Sequence, residues 1–405
     1  MKKYTKIILP VLLPVVLAGV LIAVVLFRGK QPEKEPETVG KGITVYDSGA
    51  NVLATVKSTA ELPQSDHWAY LDIVISQASE KVAEIKGWDL ETARNHLLTE
   101  GYAIRTAFRE DVFRALQSAD TSKAPMGGAV TDLSGNLLAV YSARGDRNYG
   151  AAKLSPCDAL TPVNVYAPAI EAGVACWSSQ YAGITVYEGL RTASETVAEQ
   201  IAAQKAGEEI YPVDPKTGIT PVDMAGIYQC FASGGKYTAP KAITEISDGA
   251  GNVIYTADDS YRQMISAETA DIMNKLLQGV VKTGGTGSGA NCKDIQVAGK
   301  TGSDGENFWF AGITPGYSVA IWHGQDSSNR ADDMFAAVIE ALYKDQPNAN
   351  RNFITHKNLQ RLIYCTNSGM AISKDCSTIE EGYFGENNIP GICDKCSENE
   401  NREAE

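Results

Sequence analysis

Histidines are few in this sequence, and basic side chains are outnumbered by acidic ones. Four histidines occur among 405 residues, and none is spaced to form a catalytic triad with a serine. Lysine and arginine total 36 against 49 aspartate and glutamate residues, which gives a net charge of −13. Because no basic patch stands out, binding to nucleic acid has little support. The histidines are His67, His96, His323 and His356.

A long hydrophobic run occurs at the N-terminus. Residues 7–27 carry no charge, and at about 1.5 Å per helical residue they span roughly 30 Å, the thickness of a membrane core. Lysines precede the run, which favours a cytoplasmic end at 1–6. A cleaved signal peptide is the alternative, but its apolar region would be shorter, about 7–15 residues, and a small-residue cleavage site should follow. We therefore expect a single-pass anchor in the cell membrane and an extracytoplasmic C-terminal domain.

The rest of the chain interleaves strand and helix patterns. Two hairpins are predicted, one of them with a Ser134-Gly135-Asn136 turn, and residues 266–281 have the pattern of a helix. Hairpins make the sheet antiparallel or mixed, so we expect a layered α/β domain with helices covering a sheet. The predicted divisions are a linker at 28–42, a pedestal at 43–125, a main domain at 126–345 and a cysteine-containing tail at 346–405.

Four stretches of the main domain resemble the transpeptidase domain of class A penicillin-binding proteins. The longest is GITPVDMAGIYQCFASGGKYTAPKAIT at 218–244, and a second, at 297–326, carries Lys-Thr-Gly followed by WFAGITP. The other two are the hairpin GGAVTDLSGNLLAVYS and the segment TPVNVYAPAIEAG. The resemblance implies an α/β (α+β) fold of the β-lactamase/transpeptidase type, with a mixed, mainly antiparallel sheet covered by helices.

The glycosyltransferase domain of that family has no counterpart here. Residues 43–56 resemble the segment before that domain, and residues 70–118 resemble the region that joins it to the transpeptidase. Barely a dozen residues separate the two matches, and a glycosyltransferase domain needs far more chain. We therefore expect a transpeptidase-like domain alone.

The nucleophile motif that the resemblance implies is altered. Family members read roughly P-G-S-x-x-K-P, where the serine attacks a D-Ala-D-Ala stem peptide or a β-lactam and the lysine takes its proton. This chain reads PCDALTP, which places Asp158 on the serine and Thr161 on the lysine. The one S-x-x-K of the sequence, Ser233 to Lys236, matches a different part of the family, so we interpret it as a coincidence.

The second motif of the family, S-x-N, is incomplete. The run RTASETVAEQI places Ala193 on the serine and Glu195 on the asparagine, a register that also aligns the following Thr-Val-Ala. A shift by one residue would keep Ser194 as the serine but put Thr196 on the asparagine. Either register loses part of the proton relay and substrate amide that the resemblance implies.

The third motif is intact as Lys300, Thr301 and Gly302. In the family this strand supplies a charge and a hydroxyl to the substrate carboxylate, and the N–H at the position of Ser303 serves the oxyanion hole. The tripeptide could also persist only because it holds a strand and a turn of the fold. Substrate binding by these residues is therefore a prediction that rests on the resemblance.

The two substitutions in the nucleophile motif predict a loss of catalysis. Asp158 has no proton to lose, and Thr161 cannot act as a base near neutral pH. We therefore predict a pseudoenzyme of bacterial peptidoglycan synthesis, without a cofactor. Because the family it resembles consists of transpeptidases, an enzymatic activity stays open. It would bind stem peptide or β-lactam weakly, or act as a scaffold for cell-wall synthesis proteins. The alternatives are an active D,D-transpeptidase that cross-links peptidoglycan and is acylated by β-lactams, and an extracytoplasmic peptidoglycan or β-lactam sensor.

The eight cysteines form two groups. Those inside the main domain are interpreted as buried thiols. Those in the tail have the spacing C-x10-C-x16-C-x2-C. Disulfides are the expected state of cysteines outside a membrane. The C-x2-C pair would also suit one side of a tetrahedral zinc site. We predict no metal, and zinc is the alternative for the tail cysteines. The first group is Cys157, Cys176, Cys230 and Cys292, and the second is Cys365, Cys376, Cys393 and Cys396.

Overall fold

The structure is a computed structural model that describes residues 40–121, 124–143, 147–204, 217–325, 330–357, 359–386 and 388–396. The strands are β1 (Ile43–Tyr46), β2 (Val52–Val56), β3 (Ala103–Thr106), β4 (Met126–Asp132), β5 (Leu137–Ser142), β6 (Gln180–Tyr181), β7 (Ile184–Thr185), β8 (Lys236–Tyr237), β9 (Ile243–Ser247), β10 (Val253–Thr256), β11 (Arg262–Gln263), β12 (Ala298–Ser303), β13 (Phe308–Ile313), β14 (Tyr317–His323), β15 (Gln360–Cys365) and β16 (Ile379–Phe384).

Helices occupy much of the remaining described chain. The α-helices are α1 (Trp68–Lys86), α2 (Leu90–Glu100), α3 (Glu110–Ala119), α4 (Ala167–Glu171), α5 (Val186–Arg191), α6 (Glu195–Ala202), α7 (Pro221–Tyr228), α8 (Ala267–Val280) and α9 (Ala331–Lys344). Shorter helical turns are Thr59–Gln64, Cys157–Leu160, Gln229–Phe231 and Ser288–Ala290, and Pro162–Tyr166 is a π-helix.

A five-stranded antiparallel sheet, ordered β12-β13-β14-β4-β5, lies at the centre of the domain. On one face, Phe310 of β13 contacts Phe335 of α9 at a ring-centroid distance of 4.8 Å. Ile313 lies three residues after Phe310 in β13, so its side chain points to the other face of the sheet. Ser318 of β14 pairs with Ile313 and shares that face, where the Ser318 hydroxyl donates to the Ala225 carbonyl of α7 at 2.6 Å. Helices thus cover both faces of an antiparallel sheet, which confirms the predicted layered α/β arrangement.

A second five-stranded sheet, ordered β10-β9-β3-β1-β2, is mixed, because β1 and β3 run parallel and the other neighbours antiparallel. Strands from the predicted pedestal (43–125) and from the main domain (126–345) share this sheet. Helix α1 joins it to the central sheet. The buried Tyr70 hydroxyl lies 3.0 Å from the Leu137 carbonyl oxygen, where β5 begins, and 3.2 Å from the Ala242 carbonyl oxygen before β9.

The tail after α9 contains a two-stranded antiparallel ribbon of β15 and β16. All eight cysteines lie within the described residues as free thiols, so the disulfides favoured by an extracytoplasmic location do not form in this structure. The predicted anchor at 7–27 lies outside the described residues. Of the helices that are described, none combines the length and the apolar character needed to cross a bilayer.

Replacing Tyr70 with phenylalanine should lower the free energy of unfolding by about 1–2 kcal/mol, because two buried carbonyl groups lose a shared donor. Denaturant titration of the full chain measures the change. Tyr261→Phe is the matched control, because Tyr261 is 55% exposed. Removal of its hydroxyl should lower the free energy of unfolding by less than about 0.5 kcal/mol. Equal effects of the two substitutions would contradict the connecting role of Tyr70.

Candidate functional site

The edge strand of the central sheet, β12, forms one wall of an open cleft of about 680 Å³. The other walls are the turn Cys157–Leu160, the π-helix that follows it, the end of α5, and helix α6. These elements bring residues of all three sequence motifs to one cleft. The motif residues in its lining are Asp158, Thr161, Ala193, Ser194, Glu195, Lys300, Thr301, Gly302 and Ser303.

The turn that carries Asp158 is held closely against the sheet. Tyr228 of α7 donates a hydrogen bond from its hydroxyl to the Ala159 carbonyl, and Trp309 Nε1 donates to the Ser155 carbonyl at 2.7 Å. A Cβ at Gly302 would lie 2.7 Å from the Ala159 backbone nitrogen, closer than real Cβ atoms come. The glycine of the third motif is therefore needed for the close approach of strand and turn.

Asp158 and Lys300 form an ion pair between the turn and the strand. The Asp158 Oδ2 lies 2.5 Å from the Lys300 Nζ, and its Oδ1 accepts a hydrogen bond from the Ser303 backbone N–H at 3.1 Å. The Lys300 side chain is 1% exposed, whereas that of Asp158 is 37% exposed. The carboxylate therefore lies on the two groups that the resemblance assigns to substrate, the lysine charge and the N–H of the oxyanion hole.

Burial governs the electrostatics of Lys300. Removal from water disfavours the charged ammonium and lowers the pKa of Lys300 below its usual value, while the Asp158 carboxylate acts in the opposite direction. The Nζ also donates to the Thr301 carbonyl at 2.8 Å. That carbonyl is neutral, so Asp158 is the counter-ion that favours a charged lysine in this wall.

Two threonine hydroxyls of the site donate to acceptors within the protein. Thr161 Oγ1 donates to the Asp158 carbonyl at 2.9 Å, within its own helical turn. Thr301 Oγ1 donates to the Thr286 hydroxyl at 2.9 Å. Because a hydroxyl has a single proton, neither threonine has a donor left to point at a ligand in the cleft.

The second motif lies at the start of α6. Ala193 has a φ of 56°, a left-handed conformation that is uncommon for a residue with a Cβ. Ser194 is the N-cap residue, and its Oγ accepts a hydrogen bond from the Val197 N–H at 3.4 Å. Glu195 is exposed in the first turn. At this end of the cleft the serine serves as a helix cap, and the alanine offers no group for proton transfer.

Glu199 is a cleft residue that the sequence interpretation missed. It follows Glu195 by four residues on α6, and both line the cleft. Their i, i+4 spacing on one helix face was a signal that could have found it. With Asp158, three carboxylates line the described part of the cleft, where Lys300 is the one basic residue. An anionic ligand therefore approaches a negative wall.

Cys157 is a second cleft residue that the sequence interpretation did not assign to the site. Its φ is 50°, and it falls on the glycine of the family's P-G-S pattern, a residue type that adopts this conformation readily. Burial raises the pKa of Cys157 to about 12. The thiol is thus protonated at neutral pH and is a poor nucleophile.

A rival serine nucleophile would need a nearby lysine. In the described lining the serines are Ser194 and Ser303, and the Oγ of each accepts a backbone N–H of its own segment. Lys300 is the one lysine of that lining, and its ammonium is bound in the ion pair. Ser233 and Lys236 lie outside this lining, with the Ser233 hydroxyl donating to the Lys236 carbonyl at 2.6 Å.

The helix-covered antiparallel sheet, with a Lys-Thr-Gly edge strand facing a helical turn across a cleft, defines a protein of the transpeptidase-fold class. Residues 192–339 match the family model described as the penicillin binding protein transpeptidase domain. Residues 192–339 of this chain are therefore similar to a penicillin-binding protein transpeptidase domain, as the resemblance predicted.

Individual relatives agree with this assignment. Penicillin-binding protein 1A of Clostridium botulinum is 38% identical over 130 residues, 32% of this chain and 16% of that protein. Penicillin-binding protein 1F of Bacillus subtilis is 25% identical over 336 residues, 68% of this chain and 45% of that protein. This chain thus spans less than half the length of either relative. The solved D,D-transpeptidase domain of a peptidoglycan glycosyltransferase from Eggerthella lenta has a TM-score of 0.58 at 19% identity, covering 76% of this chain and 99% of that one, which shows a shared fold.

Replacing Asp158 with asparagine should destabilise the fold by about 1–3 kcal/mol at neutral pH, because the buried Lys300 ammonium loses its counter-ion. The substitution also removes the interaction that opposes burial, so the pKa of Lys300 falls further. Between this lowered folded-state pKa and the higher unfolded-state pKa, the unfolded state binds more protons, so stability rises with pH. The destabilisation should therefore be largest near neutral pH and shrink as the pH approaches about 10.

Denaturant titration of the full chain from about pH 7 to about pH 10 measures this dependence. Glu195→Gln is the matched control, because it removes an exposed carboxylate from the same cleft. It should change stability by less than about 0.5 kcal/mol at every pH. A loss in Asp158→Asn that does not vary with pH would contradict the ion-pair assignment.

Proposed function

We propose that this chain is a catalytically inactive penicillin-binding protein transpeptidase domain that contributes to peptidoglycan synthesis by binding rather than by acyl transfer. The observation that carries the proposal is the Asp158 carboxylate, 2.5 Å from Lys300 Nζ and 3.1 Å from the Ser303 nitrogen. In the family these groups receive the anionic parts of the substrate and of the transition state. Here a side chain of the protein itself takes that place.

Displacement of this carboxylate by a ligand is unfavourable. A substrate carboxylate would have to separate Asp158 from Lys300, whose other acceptor is the neutral Thr301 carbonyl. It would also bring a further anion to a cleft that Glu195 and Glu199 already line. These contacts support weak or absent binding of stem peptides and β-lactams.

Acyl transfer also lacks its reacting groups. Attack by the Asp158 carboxylate would form a labile anhydride and would remove the counter-ion of Lys300. Thr161 donates its hydroxyl proton to a backbone carbonyl and has no basic nitrogen. Removal of the nucleophile or the base from a serine hydrolase lowers the rate by up to about 10⁶. The active D,D-transpeptidase is therefore the less supported alternative.

We infer that the domain acts as a scaffold for cell-wall synthesis proteins, held outside the membrane by residues 7–27. The close approach at Gly302 keeps the cleft wall assembled, while the charge facing the cleft has become negative. A partner segment that enters this cleft would present a basic group to Glu195 and Glu199. A peptidoglycan or β-lactam sensor would instead need the anion-binding groups that Asp158 occupies.

The unaltered full chain should show no covalent labelling by a fluorescent penicillin. A variant that restores the family residues, with Asp158→Ser, Thr161→Lys, Ala193→Ser and Glu195→Asn, should be labelled in the same assay. The serine frees Lys300 and the oxyanion N–H from the carboxylate, and the new lysine supplies the base. In-gel fluorescence and the mass of the denatured adduct measure the outcome.

The matched control carries the same four changes together with Lys300→Met, which keeps a long apolar side chain but removes the charge. It should not be labelled if penicillin docks through that lysine. Circular dichroism verifies that both variants fold. Covalent labelling of the unaltered chain would overturn the proposal in favour of an active D,D-transpeptidase, and a folded but unlabelled restored variant would refute the claim that the pocket is otherwise preserved.

A further inference from the structure

Four cysteine sulfur atoms converge in the tail. All four Sγ atoms lie within 4.8 Å of one another. Three separate segments supply them: the end of β15, the loop between β15 and β16, and the C-x2-C pair that follows β16. Sequence neighbours alone cannot explain this, because two of the residues in contact are 31 positions apart. The four residues, referred to as the cysteine cluster, are Cys365, Cys376, Cys393 and Cys396.

The separations within the cysteine cluster fit a metal site better than a pair of disulfides. A disulfide holds its two sulfurs about 2.05 Å apart. Cys396 instead lies 3.6 Å from the Cys365 sulfur and 3.8 Å from the Cys393 sulfur, nearly equidistant from two partners. Four thiolates at about 2.3 Å from a zinc ion form a tetrahedron whose edges are about 3.8 Å. The two separations from Cys396 match that edge, and every other pair of sulfurs lies within 4.8 Å.

Backbone hydrogen bonds keep the ligand-bearing segments together. Ala371 lies between them: its N–H donates to the Gly391 carbonyl at 2.9 Å, and its carbonyl accepts from the Cys393 N–H at 2.8 Å. The Cys365 N–H donates to the Met370 carbonyl at 2.8 Å. The main chain thus positions the cysteines independently of any bond between sulfurs.

Polar hydrogens also point at the sulfurs. The Ser368 hydroxyl donates to the Cys393 Sγ at 3.2 Å, and the Ser373 N–H donates to the Cys376 Sγ at 3.4 Å. Donors of this kind stabilise the negative charge of metal-bound thiolates and orient them. The surroundings of the cluster therefore resemble those of a structural metal site.

The tail has little apolar core of its own. In the described part of 351–396 the buried side chains larger than glycine are Tyr364, Cys365, Phe384 and Cys393. A segment that buries so little usually needs a disulfide or a metal to stay folded. Metal binding would supply that free energy of folding. The exposed isoleucines of this segment are Ile354, Ile363, Ile372, Ile379, Ile389 and Ile392.

The loop after Cys365 also contacts the main domain. The Ser178 hydroxyl donates to the Gly369 carbonyl at 2.5 Å, and Gln180 Nε2 of β6 donates to the Thr366 carbonyl at 2.6 Å. An ion that fixes Cys365 would fix this loop as well. The cluster is thus placed to hold the tail against the domain.

We propose that Cys365, Cys376, Cys393 and Cys396 bind one Zn²⁺ ion in a closed tetrahedral site that fastens the C-terminal tail to the domain. The ion replaces the thiol protons, which pass to solvent. Four protein ligands leave no position for a substrate, so the site is structural and not catalytic. Its role does not depend on whether the cleft performs acyl transfer.

The first test is the metal content of the full chain, purified with a non-chelating reductant and without added metal. Elemental analysis should find close to one zinc per chain. The double variant Cys393→Ser with Cys396→Ser should lose it, whereas Cys176→Ser, which alters a half-buried cysteine outside the cluster, should retain it. Zinc retained by the double variant would overturn the proposal.

A second measurement uses the unaltered chain and does not depend on how the variants fold. A mercurial thiol reagent should release the zinc to a colorimetric chelator as the cysteine cluster reacts. Replacement of the ion by Co²⁺ should give the visible absorption of tetrahedral cobalt thiolate. Absence of zinc, iron in its place, or an intact mass lower by the four hydrogens that two disulfides remove would each overturn the assignment.

Discussion

A lysine ammonium buried in the edge of a sheet needs a counter-charge, and in this protein the counter-charge comes from the turn opposite. The Asp158 carboxylate binds Lys300 and also accepts the Ser303 N–H. One carboxylate therefore binds both the lysine ammonium and a backbone N–H of the cleft wall. Under the proposed function, the interaction that stabilises the wall would also occupy the place where a substrate anion docks in the family.

Under the proposed function, this chain keeps the fold of a transpeptidase without its acyl-transfer chemistry. The contacts that assemble the cleft remain, including the close approach of Gly302 to Ala159 and the bond from Tyr228 to the same turn. They depend on shape and on backbone hydrogen bonds, which a change at Asp158 does not disturb. Catalysis depends on the charge and proton state of a few side chains, and these can change while the fold persists.

The C-terminal tail also depends on a few specific side chains. It buries few side chains, and its two-stranded ribbon is held by backbone hydrogen bonds between β15 and β16. A metal ion bound by the cysteine cluster, as proposed above, would supply free energy of folding that the small core does not. The domain itself is stabilised by its helix-covered sheet, whereas the folding of the tail would depend on metal binding.

Local features could be predicted along the chain: the hairpin of β4 and β5, the Lys300-Thr301-Gly302 strand, and the motif spacing that aligns Asp158 with the family's serine. Turn residues, strand alternation and motif spacing act over a few positions and can be identified along the chain. The pairing of Asp158 with Lys300 across 142 positions and the meeting of four tail sulfurs became visible in the three-dimensional fold. Such contacts depend on how strands are ordered in sheets and how helices lie upon them, and no local pattern encodes that geometry.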